Sequence, residues 1–311
     1  MYFSRIRVRA DIRDLHLLIS GNGYSAHQLL WKLFPGDKQR PFLFREEVAR
    51  EQIPFHKGVK GEPVFYVVSA TQPISTHPIF AVESKPYAPR LAVGDHLGFK
   101  LRANPVQLAK KERTPQEIER WQKNRTEHGL ENKEVTKKRI RHDVVMDAQY
   151  HLLRNIADKI GIAVIGKKSL LKQQIIAEWQ STHNSQAITD NLKDIIASNE
   201  RFAEESTESL HSTKLLDLCL KAKADKQLET WLMDKSKSHG FVLVRDNRLK
   251  FQAEAYQWHA LPKKGKNAGF SSVDFEGEIE VIDTELFSKA LFNGIGPAKG
   301  FGCGLMLIRR V

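Results

Sequence analysis

The stretch Gly294-Ile295-Gly296-Pro297-Ala298-Lys299-Gly300-Phe301-Gly302-Cys303-Gly304 constrains this chain more than any other, with five glycines in eleven residues. Such a run allows positive φ and close approach of another backbone. It can aim several N–H groups at one phosphate, as a nest does. Lys299 brings the only full charge in the stretch. A helix expected over 283–292 precedes it and a strand expected over 305–309 follows it. A phosphate-binding P-loop needs Gly-Lys-Ser/Thr opening a helix. A dinucleotide fingerprint runs from strand to helix, the reverse of the order here. A helix C-cap needs only one or two glycines.

Charge narrows the partner. Lys and Arg total 49 against 37 Asp and Glu, a formal net charge of +12. That excess favours a polyanion, and nucleic acid is the expected partner ahead of a membrane. Cys219 and Cys303 stand far apart without a Cys-x-x-Cys spacing, so neither a disulfide framework nor a zinc site is expected. The first fifteen residues carry Arg and Asp without an apolar run, and no long uncharged apolar window follows. The expectation is a cytoplasmic protein with no membrane partner and no cofactor.

Residues 2–8 alternate as a strand: Phe3, Ile6 and Val8 are apolar, with Arg5, Arg7 and Arg9 interspersed. Gly21-Asn22-Gly23 breaks the chain. A helix is expected over 25–33, ended by Pro35 and Gly36. Ala26, Leu29, Leu30 and Leu33 form its buried stripe. Tyr24, His27 and Trp31 project from the other side, where His27 and Tyr24 can reach a common ligand. Residues 42–47 and 64–70 read as strands. Residues 71–89 hold four prolines and predict at most a short helix. Residues 97–103 read as the strand closing a ferredoxin-like unit.

Four segments together resemble the CasE family, the CRISPR RNA-processing endoribonucleases of type I-E systems. They are Tyr24-Ser25-Ala26-His27-Gln28-Leu29-Leu30-Trp31 with Leu33-Phe34-Pro35; Pro41-Phe42-Leu43-Phe44-Arg45; Phe99-Lys100-Leu101-Arg102-Ala103-Asn104-Pro105; and the glycine stretch. The resemblance implies an α+β fold of two tandem ferredoxin-like (βαββαβ) domains. It implies a catalytic histidine on the first helix with a tyrosine three residues before it, matched by His27 and Tyr24. It implies cleavage of repeat RNA without metal, leaving a 2′,3′-cyclic phosphate, and retention of the guide within the Cascade interference complex. An imidazole can give or take a proton near neutrality. A phenol and backbone N–H groups suit a charged phosphorane. Whether His27 is base at the 2′-oxygen or acid at the 5′-oxygen stays open at this level.

RNA contacts are expected at Lys100, Arg102 and Asn104, and at Gly294, Gly296, Lys299, Gly300, Gly302 and Gly304. Residues 100–145 hold 13 Lys/Arg against 7 Asp/Glu. Within them, Lys137, Lys138, Arg139 and Arg141 are candidate phosphate contacts leading into a strand expected at 144–146. The neighbouring His142-Asp143 pair lacks the further ligands a metal phosphohydrolase needs. A helix is expected over 147–160. Residues 162–222 then look like a helical insertion whose removal, from 164 to 221, is expected to leave a folded nuclease. A helix over 224–238 follows, then a hairpin of 241–245 with 248–258 and a strand over 273–282. Between the last two strands, Lys263, Lys264 and Lys266 form a basic tip suited to an RNA stem. The expected domains are 1–104, carrying the catalytic helix, and 105–311, carrying the insertion and the glycine loop. The competing expectation is a non-catalytic CRISPR RNA-binding or scaffold subunit, against which His27 and Tyr24 argue.

Overall fold

The computed structural model describes residues 1–9, 23–48, 63–130, 137–164, 167–179, 181, 185–261 and 268–311; the side chains of residues 23–25 and 48 also lie outside this set. Two compact units emerge, Met1–Pro105 with Asp225–Val311, and Val106–Ala224.

The first unit begins with β1 (Tyr2–Val8), α1 (Gly23–Trp31), β2 (Phe42–Val48), β3 (Pro63–Ser69) and β4 (Phe80–Pro86), whose sheet has the order β2-β3-β1-β4. All pairs are antiparallel. That spatial order is the one a βαββαβ unit produces. Ala26, Leu30 and Leu33 are buried against Ile6, Val8, Phe42, Phe44, Phe65, Val67 and Phe80, so the expected helical stripe does meet a sheet face. The fourth strand corrects the sequence reading. It comes from the proline-punctuated stretch expected to give at most a short helix. Pro86 closes an edge strand, one of the few sheet positions that tolerates proline.

The expected closing strand, seen as β5 (His96–Ala103), instead belongs to a second sheet. That sheet contains β8 (Phe241–Leu243), β9 (Phe251–Ala260), β10 (Gly269–Val281) and β11 (Met306–Arg310), in the order β11-β5-β10-β8 with β9 also on β10. With α6 (Ser212–Ser238) and α7 (Thr284–Asn293) as its helices, it repeats the strand order of the first sheet, where, among the described residues, no helix stands between β3 and β4. A boundary at 104 therefore falls after the first strand of the second sheet. Trp231 of α6 stacks on Phe275 of β10 at 5.7 Å. The expected hairpin between 241–245 and 248–258 is not formed. β8 and β9 run consecutively along one edge of β10, joined by a single Arg245–Leu249 bridge. The true hairpin is β9–β10, paired out to Ala260–Gly269. Its basic tip, with Lys263, Lys264 and Lys266, lies outside the described residues, as does the Gly21-Asn22 break.

The second unit holds β6 (Val106–Glu112), α2 (Pro115–Glu127), β7 (Lys137–Asp143), α3 (Val144–Ile160), α4 (Lys168–Trp179), α5 (Ser185–Ala197) and the first turns of α6. The basic run is itself strand β7, and the expected strand at 144–146 is the first turn of α3. Asp143 ends one element and starts the other, its Oδ1 accepting the Met146 N–H at 2.8 Å. Leu152, Leu153, Ile156 and Ala157 of α3 share a core with Leu171, Ile175 and Trp179 of α4, Ile188, Leu192 and Ile196 of α5, and Leu215 and Leu216 of α6.

This core overturns the expected excision of 164–221, which would strip the apolar face of α3. Exposing a buried Leu or Ile costs about 1.5–3 kcal/mol. That truncation is expected to lose its cooperative melt. Removing Val106–Ala224 as a whole follows the seam between units. A Cβ on Gly296 would lie 3.6 Å from the Trp231 ring and 3.7 Å from the Asn104 carbonyl oxygen, so the end of β5 and this part of α6 flank the same loop residue. Circular dichroism melts of the two truncations test this; a cooperative melt for the shorter excision and none for the longer would reverse the assignment.

Candidate active site

His27 is half buried on the flank of α1. Its ring meets Trp31 edge-on at 5.4 Å, Phe42 at 5.6 Å and Phe44 at 6.3 Å. This aromatic wall explains its electrostatics. Burial lowers its pKa below the ordinary 6.5, and the positive charge of Arg40 lowers it further. Tyr24 stands one turn earlier on the same helix, with its side chain outside the described residues.

The glycine stretch folds as a closed loop beside this helix. The Gly294 N–H donates to the Ala290 oxygen at 2.8 Å, ending α7. The Ile295 N–H donates to Gly304 at 2.9 Å and the Gly304 N–H to Arg102 at 2.7 Å, which ties the neck to β5. Gly294, at φ +76°, needs its missing side chain twice over: a Cβ there would sit 2.9 Å from Leu43 Cδ1 and 3.1 Å from the Gly304 oxygen. The tip, Lys299–Phe301, makes one 3-10 turn and packs against α1 and β2. Gly302 approaches Phe44 so closely that a Cβ would lie 3.3 Å from the ring. His27 and the loop therefore contact the same phenyl ring.

Arg40 was not singled out by the sequence, yet it stands in this group. It immediately precedes Pro41 and β2 and is half buried. Its Nη1 is 3.7 Å from the position of a Cβ on Gly300. Lys299 has its pKa lowered by burial and then by Arg40; burial lowers that of Arg40 itself. Among the described residues, neither Arg40 nor Lys299 forms an ion pair. Two partly desolvated cations stand near a titratable imidazole, and neither cation has an acidic partner among the described residues, an arrangement that favours an anion.

The remaining candidates are placed elsewhere. Lys100 pairs with Glu276 at 2.7 Å, and Arg102 holds Asp274 through two hydrogen bonds of 2.8 Å. Arg102 also donates to the Glu46 oxygen at 2.9 Å, so it fastens β2 to the second sheet. Asn104 is buried and donates to the Ser271 oxygen at 2.7 Å. A cleft of about 710 Å³ opens on this side, but its four carboxylates, Glu47, Glu254, Asp274 and Glu276, outnumber its two cations, Arg45 and Lys100, a poor balance for a phosphate. Cys303 is a free, buried thiol with its pKa pushed up to about 12 by burial, which leaves it unreactive.

In the second unit, the β6–β7 ribbon has two unlike faces. Lys111, Lys138 and Ile140 lie on the face that meets α2, where Lys138 pairs with Glu117. Lys137 pairs with Glu112 at 3.5 Å. On the outward face Lys110 stands directly across from Arg139, and Arg141 across from an exposed Leu108. Among the described residues no acid pairs with Lys110, Arg139 or Arg141. Like charges set opposite in a ribbon cost stability unless an anion lies over them. No group of three or more His, Cys, Asp or Glu able to hold a metal occurs among the described residues, and no helix among them is long and apolar enough to cross a membrane.

Known proteins resemble this chain both in sequence and in fold. The model of a family described as CRISPR associated protein matches residues 1–310. The CRISPR system Cascade subunit CasE of Escherichia coli (strain K12) is 36% identical over 109 residues, which are 34% of this chain and 47% of that protein. The match thus spans about half the length of that curated relative. Among solved structures, Thermus thermophilus Cse3 bound to an RNA representing a pre-cleavage complex aligns with a TM-score of 0.52 and 17% identity, covering 99% of this chain and 98% of that one. CRISPR endoribonuclease Cse3 bound to a 19-nucleotide RNA aligns with a TM-score of 0.52 and 18% identity, covering 99% and 100%. These structural likenesses support the shared fold of tandem ferredoxin-like domains.

Proposed function

The chain belongs to the CRISPR associated protein family, and from that premise we propose that it is a metal-independent endoribonuclease of CRISPR precursor RNA. It cuts at repeat hairpins and stays bound to the mature guide RNA as a subunit of the type I-E Cascade complex in the cytoplasm. One observation carries this reading: His27 and the glycine loop flank the same Phe44 ring, beside Arg40 and Lys299, two cations that have no acidic partner among the described residues.

The chemistry follows from those groups. The 2′-hydroxyl of the nucleotide before the cut attacks its own phosphorus. A P–O2′ bond forms as the P–O5′ bond breaks, and the products are a 2′,3′-cyclic phosphate and a 5′-hydroxyl. The attacking hydroxyl loses one proton and the leaving oxygen gains one. A lowered pKa keeps His27 mostly neutral at pH 7, the form that accepts a proton, so His27 is assigned as base at the 2′-oxygen. The loop and its cations stabilise charge building on the phosphorane. Tyr24 belongs to the same site in this reading.

A pH prediction follows. The rate at subsaturating protein rises with pH through the pKa of free His27, which lies below 6.5, and is lost as pH falls through it. Single-turnover cleavage from pH 4.5 to 8 measures the limb; a midpoint above 6.5 would contradict the assignment. The central test of the activity is incubation with labelled repeat RNA in excess chelator. Cleavage that survives and yields a cyclic phosphate is expected; cleavage restored only by a divalent ion would refute metal independence.

Affinity is spread over other surfaces in this account. The outward face of the β6–β7 ribbon and the tip holding Lys263, Lys264 and Lys266 touch RNA phosphates. Replacing Lys110, Arg139 and Arg141 by Gln weakens hairpin binding. It lowers the slope of log K against log salt by roughly 0.7–0.9 for each phosphate no longer neutralised. An unchanged slope would remove the ribbon from the RNA-binding surface.

A further inference from the structure

We infer that Arg40 is a catalytic residue of this site, binding a non-bridging oxygen of the scissile phosphate opposite His27. The inference rests on the cleavage reading above and adds a residue that neither the glycine motif nor the histidine helix contains.

The position argues for it. Arg40 is half buried, Nη1 lies 3.7 Å from where a Gly300 Cβ would stand, and among the described residues it has no acidic partner. A guanidinium usually leaves water for a carboxylate or a phosphate, because its planar donors fit both and because an unpaired buried charge is costly. The acids close to Arg40 in sequence have other partners: Asp37 accepts from the Thr71 hydroxyl at 2.9 Å. Glu47 is paired with Arg45, and Glu46, with its pKa raised by burial, faces the charge of Arg102. Three aromatic rings, Trp31, Phe42 and Phe44, stand beside His27, and Lys299 is on the loop within range of the Arg40 charge. A phosphate seated among Arg40, Lys299 and the loop backbone satisfies every one of these charges. It also places the reacting atoms within reach of the imidazole.

Geometry separates Arg40 from Lys299. A guanidinium can hold two oxygens at fixed angles, whereas an ammonium acts as a point charge. As the phosphorane forms, its non-bridging oxygens gain charge, and a fixed donor at one of them acts more strongly in the transition state than on the bound substrate. Loss of Arg40 therefore lowers the chemical rate more than the affinity.

The test compares wild type, Arg40→Gln and Arg40→Lys in single-turnover cleavage of a repeat hairpin, with binding of the same RNA measured separately. Arg40→Gln is expected to slow cleavage about 100-fold or more while Kd stays within about five-fold, and Arg40→Lys to recover part of the rate. A phosphorothioate at one non-bridging oxygen should slow wild type and have little further effect on Arg40→Gln. Cleavage by Arg40→Gln within three-fold of wild type overturns the inference. So does a rate loss explained entirely by Kd.

A second measurement stands without cleavage. The His27 imidazole is titrated by NMR with and without inorganic phosphate. Arg40→Gln should titrate at higher pH than wild type, because a repelling charge has gone. Phosphate should raise the wild-type value and move the variant less. Equal response of both proteins to phosphate eliminates the anion site. Failure of wild type to cut, with the NMR response intact, refutes the cleavage reading alone.

Discussion

Replacing His27 by Ala abolishes cleavage of repeat RNA and leaves hairpin binding within a few-fold of wild type. The imidazole can exchange a proton near neutrality, and general base catalysis contributes typically 10²–10⁴-fold. Its contribution to affinity is small, because binding is distributed over many phosphates. The fold should tolerate the change. His27 is half buried at the rim of the core, while Leu30, Leu33 and Phe44 carry the packing beneath it. A melt therefore separates a chemical defect from a structural one. Full activity in a folded His27→Ala protein would defeat the assignment.

Gly294→Ala has the second large effect, and here stability falls together with activity. The residue has φ +76° and ψ 156°, a combination open almost only to glycine. An added Cβ would lie 2.9 Å from Leu43 Cδ1 and 3.1 Å from the Gly304 oxygen at the loop neck. Backbone strain and overpacking together cost about 2–4 kcal/mol. Relieving the clash moves the loop away from Phe44, and hence from His27. Gly300→Ala is the matched comparison: a Cβ there meets only Arg40 Nη1, at 3.7 Å, and its φ is not in the positive region. Denaturant unfolding of the two variants should differ by more than about 1.5 kcal/mol. Equal stabilities would mean that the loop is not held at its neck as described.

Much of this was legible in the residues, for identifiable reasons. β1 and the stripe of α1 have clear apolar periods, and the glycine stretch announced a backbone that no other residue could follow. β4 was hidden because four prolines mask an edge strand that needs only one set of partners. The ribbon was hidden because neither face is a regular apolar face; β6 and β7 alternate between charges rather than between core and solvent. One local signal there could have been read. Thr114-Pro115-Gln116-Glu117 is a capping box with proline in the first turn, and it starts α2. The insertion is longer than its sequence suggests because α3, which reads as part of the second ferredoxin-like unit, packs with α4 and α5 instead. His27 stood out by lying off the apolar stripe. Arg40 did not, since its surroundings come from a loop at the far end of the chain. Lys100, Arg102 and Asn104 read as RNA contacts from their motif. In the folded chain Lys100 and Arg102 pair with acids on the neighbouring strand, and Asn104 secures a backbone carbonyl.

The central claim is that an RNA 2′-oxygen, activated at His27, breaks its own phosphodiester. The most direct measurement replaces the single 2′-hydroxyl adjoining the cut by hydrogen in an otherwise unchanged repeat hairpin, and follows cleavage by the purified protein in chelator. The account predicts normal binding and no cleavage at that position. Cleavage of the 2′-deoxy hairpin at the same phosphate would contradict it.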